Sequence, residues 1–184
     1  VLQIAASLVL LVVAALIVIA IAFSMFIAIV AECSEGSKAV HNWPPFLDWF
    51  GDLFVFAVAA VMSGFPGWAI CYLLPLDPLF ELAIFAASIV ICFPITVLSQ
   101  LDIGSMWGVL SPKVVKSLAR CPFSWLTFFV LTGLLAFLCI AATYFAARVQ
   151  IGLVVIVAPL GTAAFILYAR LLGRLAWRLA EAMP

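Results

Sequence analysis

Charge is scarce in this sequence: 9% of its 184 residues are Asp, Glu, Lys or Arg and 69% are apolar, whereas soluble domains carry about a quarter charged and about half apolar residues. With a mean hydropathy of +1.40, a water-soluble globule is excluded. Eight basic and eight acidic residues cancel, which removes the net field that would recommend nucleic acid as a partner. One histidine, His41, is too few for a multi-His metal site or bis-His haem ligation within one chain. Five cysteines (Cys33, Cys71, Cys92, Cys121, Cys139) make an odd count with no C-x-x-C pair, so neither a disulfide framework nor a zinc ribbon is predicted.

Catalytic signatures are missing too. There is no H-E-x-x-H, no G-x-S-x-G, no P-loop and no acidic pair inside opposing apolar runs, so the chain is read as a non-enzyme with no cofactor assigned. No period of about 20 to 50 residues recurs, which argues against a solenoid or duplicated transporter halves. No ionisable group lies near the centre of an apolar run, and coupled transporters usually need one there.

What the sequence does have is long apolar runs. They predict an all-α, polytopic transmembrane bundle in one domain over residues 1–184, with spans near 1–30, 53–74, 79–98, 123–147 and 152–178. Val1 opens inside an apolar run without an initiating Met, which predicts that residues precede it. In the second run Gly64-Phe65-Pro66-Gly67 interrupts some 22 residues, because Pro removes a donor and Gly frees the dihedrals. A kinked span is favoured over a re-entrant hairpin, whose exposed backbone lipid could not satisfy. The kinked span leaves Val1 outside and the re-entrant hairpin would leave it cytoplasmic.

Residues 112–120 are expected to form an amphipathic interfacial helix, with Ser111 as cap and Pro112 in the first turn. Lys113, Lys116 and Arg120 fall on one face of it, with Val114, Val115 and Leu118 on the other. Arg170, Arg174 and Arg178 recur at i, i+4 and i+8 on the last helix. The six cations are the expected anionic-lipid or phosphate contacts, although the terminal stripe also suits a simple stop-transfer anchor. Both clusters lie on one side if the last two spans form a hairpin, with Arg148 on the other. That places the C-terminus in the cytoplasm.

The loop from Ala31 to Asp52 gathers acids and aromatics without a metal-ligand spacing. Trp43, Trp49 and Phe50 are read there as interfacial anchors or a partner contact surface. Expected partners are membrane lipids with anionic headgroups and either a membrane protein or further copies of the chain.

Three pieces carry a resemblance: Phe93-Pro94 closing a span, Leu110-Ser111-Pro112-Lys113-Val114-Val115 opening the amphipathic segment, and the end from Tyr168 to Trp177 (YARLLGRLAW). From the third span onward, about half of it, the chain resembles uncharacterised bacterial multi-pass membrane proteins. The resemblance implies a compact helical domain of the bacterial inner membrane and carries no activity. Together these readings point to a non-enzymatic accessory or scaffold subunit that packs against partner helices and anionic lipid. The alternative is a channel or carrier for a small solute or lipid, with a cavity near Gly64–Gly67 and the kinks at Pro94 and Pro159.

Overall fold

A computed structural model describes residues 2–37, 44–45, 48–74, 77–149 and 154–182. The described residues form six α-helices: α1 (Leu2–Ser34), α2 (Asp48–Leu73), α3 (Pro78–Ile103), α4 (Pro112–Arg120), α5 (Pro122–Val149) and α6 (Val154–Ala182). No strand occurs among them. Four helices are long and apolar enough to cross a membrane: α1 from Val9, α2, α3, and α5 as far as Ala146. The described part of α6 carries Arg170, Arg174 and Arg178 and is not among those four.

Most helices run past the ends of their apolar runs. Helix α2 opens on Asp48, so Trp49, Phe50 and Asp52 belong to its first two turns and not to the preceding loop. An acidic residue there meets the positive end of the helix dipole. Helix α3 starts with Pro78 in its first turn and ends at Gly104, whose left-handed φ of 67° lets its N–H reach the Gln100 carbonyl at 2.9 Å. Through Gly64–Gly67 the α2 helix is unbroken.

By its contacts the chain divides into two units, one of Val1–Met25 with Trp43–Val115 and one of Phe26–Asn42 with Lys116–Pro184. The first is organised by the α2–α3 pair. Phe56 of α2 stacks on Phe23 of α1 at 3.8 Å between ring centroids and meets Phe93 of α3 edge-on at 5.0 Å. The Ser24 hydroxyl donates to the Asp52 carboxylate, which settles that acid at the start of α2. Val9–Ile19 of α1, by contrast, are exposed on every side.

The second unit packs α5 and α6 together and seats α6 on the last turns of α1. Phe26 lies 5.0 Å from Phe165 and 5.9 Å from Tyr168 between ring centroids, and Phe128 of α5 lies 5.8 Å from Tyr168. Val30, Ala169 and Leu172 are fully buried. Gly173 makes the approach possible, because a Cβ there would come within 2.8 Å of the Val30 carbonyl oxygen. Small residues serve membrane helices in this way, since close packing rather than water exclusion holds such helices together.

Candidate functional site

The polar side chains of α2 and α3 face one another. The Ser88 hydroxyl of α3 donates to the Ser63 carbonyl at 2.8 Å and accepts the Gly67 N–H at 3.0 Å, bridging both ends of one rung of the α2 helix. Pro66 makes this site soft, because it lacks the N–H that would bond the carbonyl four residues before it. Gly67 lets Ser88 approach: a Cβ there would lie 2.7 Å from the Ser88 Cβ and 3.0 Å from the Phe85 backbone. At Gly64 the Phe85 ring fills the space at 3.1 Å. Ser63 in turn donates to Ala59 O at 2.6 Å and reaches Thr96 at 3.4 Å. Beside Gly64 and Gly67 therefore lie the Phe85 ring and the bridging Ser88.

At the far end of α3, Asp102 accepts the Ser111 hydroxyl and lies 3.5 Å from Lys113 Nζ. Ser111 is the expected cap of α4: its Oγ accepts the Lys113 N–H at 3.2 Å and its carbonyl accepts the Val115 N–H at 3.0 Å. Lys113, Lys116 and Arg120 are exposed together on one face, as their spacing predicts. The opposite face differs from the expected one. Val114 and Ser117 are buried, while Val115 is 44% exposed. Val115 falls at the edge of the helical wheel, and Ser117 takes the inner position because its hydroxyl accepts the Trp125 indole N–H at 3.0 Å.

Of the aromatic residues expected to make contacts, Trp49 donates its indole N–H to the Pro44 carbonyl at 3.1 Å, and Phe50 is half-exposed on the first turn of α2. Trp43 and His41 lie outside the described residues. Among the described residues no three His, Cys, Asp or Glu side chains come together at metal-binding distance.

Arg170, Arg174 and Arg178 are all exposed on α6. Two of them share a groove with α5, a cavity of about 110 Å³ lined by Ser124, Thr127, Phe128, Leu131, Leu171, Arg174, Leu175 and Arg178. Arg170 is not part of its lining. Thr127 donates its hydroxyl to the Phe123 carbonyl at 2.8 Å, which leaves Ser124 as the uncommitted hydroxyl donor. Among the described residues no carboxylate pairs with Arg174 or Arg178, whereas Lys113 is paired with Asp102. The helices cross the groove in opposite directions, so Ser124 and Thr127 at the start of α5 share its polar end with Arg174 and Arg178. Leu131 and Leu171 line the other end, about 10 Å along their helices from Ser124 and Arg178 at 1.5 Å per residue, with Thr127 and Arg174 in between. Sequence periodicity finds the arginines; it does not find Ser124, which comes from another helix some fifty residues earlier. Comparison with family models, with curated proteins and with solved structures gave no match.

Proposed function

We propose that this chain is a non-enzymatic accessory or scaffold subunit of a membrane assembly. The observation that carries the reading is the uncovered half of α1: Val9–Ile19 are apolar and exposed, so the described residues leave them largely uncovered. A helix face of that extent is the natural seat of neighbouring helices. The reading is also supported by the state of the hydroxyls inside the spans. Ser63, Ser88, Thr96, Ser99, Thr127, Thr132 and Thr143 all bond to backbone carbonyls of their own or a neighbouring helix, so they act as fasteners.

In this reading α6 makes a fifth crossing, and the basic residues of α4 and α6 lie on the cytoplasmic side of a bacterial inner membrane, as the excess of positive charge there requires. The close approach of Phe85 and Ser88 to Gly64 and Gly67 supports this reading over that of a channel or carrier with a cavity there. Extraction from the native membrane in mild detergent followed by native mass spectrometry tests the proposal. A protein partner in fixed stoichiometry is the expected result, and a lone chain carrying only lipid would refute it.

A further inference from the structure

We infer that the α5–α6 groove holds the phosphate of one anionic phospholipid, gripped by Arg174 and Arg178 with Ser124 as a third donor, and its acyl chain lies along Leu131 and Leu171. The inference rests on the reading of the chain as membrane-spanning, but not on its having a protein partner.

Three observations converge on that ligand. Arg174 and Arg178 are four residues apart and so lie one above the other on the helix face. No carboxylate among the described residues forms an ion pair with them, so the groove presents two guanidinium groups, which match phosphate oxygens in a bidentate fashion. The groove also has an apolar end: Phe128 and Leu175 lie among Ser124, Thr127 and the arginines, and Leu131 and Leu171 close the end away from Ser124 and Arg178. That polar-to-apolar order is the order of a phospholipid from headgroup to tail, whereas a free anion would have no use for the apolar end. Finally, about 110 Å³ has room for a few water-sized groups, which suits one phosphate. A stop-transfer stripe requires only the charges and needs no groove.

The test uses the full chain in detergent micelles containing equal amounts of phosphatidylglycerol and phosphatidylcholine, with retained lipid counted by native mass spectrometry. The wild type should keep one phosphatidylglycerol in preference to phosphatidylcholine. Replacing both arginines (Arg174→Gln with Arg178→Gln) should lower retention by about tenfold or more, since each surface cation contributes on the order of a few-fold to anionic-lipid affinity. The control Arg148→Gln, at the opposite end of α5, should leave it unchanged. Leu131→Trp keeps every charge and replaces a half-exposed side chain, so folding tolerates it; it should still expel the lipid by filling the apolar end.

Retention in the arginine variant equal to wild type would overturn the inference. So would wild-type retention in Leu131→Trp, which would reduce the site to bare charge, or displacement of the lipid by inorganic phosphate, which would make it a free-anion site. Partner proteins appear in the same spectra as separate masses, so failure of the accessory reading and failure of this site are read independently.

Discussion

Gly173 and Gly161 sit on the same helix and differ in one respect, which is what lies beside them. A Cβ at Gly173 would come within 2.4 Å of the Cys33 Cβ and 2.8 Å of the Val30 carbonyl oxygen, whereas at Gly161 nothing lies within 4 Å. Gly173→Ala should therefore cost about 1–3 kcal/mol through forced separation of α6 from α1. Gly161→Ala should be neutral, or stabilising by up to about 1 kcal/mol through helix propensity. Thermal unfolding in detergent, followed by circular dichroism, separates the two, and equal melting temperatures would contradict the packing at Gly173. Neither difference is legible in the sequence, which shows two lone glycines on one helix and not what lies beside them. Residue placement in α4 shows the same limit: the wheel puts Lys113, Lys116 and Arg120 together correctly, yet it cannot know that Trp125 will draw Ser117 inward in place of Val115.

At the level of elements, the Ser88 bridge joins two helices through the backbone of one. Ser88→Ala should destabilise the α2–α3 pair by about 0.6–1.7 kcal/mol, the range of hydrogen bonds between membrane helices. Thr143→Ala removes only an exposed bond to the Cys139 carbonyl on its own helix and should lie within about 0.5 kcal/mol of wild type. Ser111→Ala takes away both the cap of α4 and the Asp102 contact, and a lost cap costs about 0.5–2 kcal/mol. Faster amide exchange confined to α4 and the preceding loop would reveal it, and unchanged protection there would contradict the capping role.

The helices themselves were largely readable. Apolar runs longer than a bilayer is thick mark four of them, and Ser111, Pro112 and Pro122 bracket α4. Their ends were less so, because hydropathy stops at the first charge while the backbone continues through Asp48–Asp52 and Ser99–Ile103. The groove was unreadable for a different reason: it needs Ser124 and Arg178 side by side, and no local pattern encodes that pairing.

For the whole molecule the sharpest expectation concerns sidedness. In a background lacking the native cysteines, Lys116→Cys and Arg178→Cys should react with a membrane-impermeant maleimide from the same side, and Arg148→Cys from the other. Labelling of Arg148→Cys and Arg178→Cys from one side, with Lys116→Cys from the other, would remove α6 as a crossing and lower the number of passages to the four that length and composition support. Arg148 is well placed for such a probe, at the last turn of α5 with its guanidinium on the Tyr144 hydroxyl at 2.8 Å.

The serine bridge also bears on how the protein is made. Ser88 is synthesised after α2, 25 residues beyond the Ser63 carbonyl it serves. During that interval the Ser63–Gly67 rung has only its own two groups for partners beside the donor missing at Pro66, and hydrocarbon offers no outside hydroxyl. A nascent chain halted just after α2 should thus hold its second helix poorly at the translocon's lateral gate, and one extended through α3 should release both into the bilayer as a single hairpin.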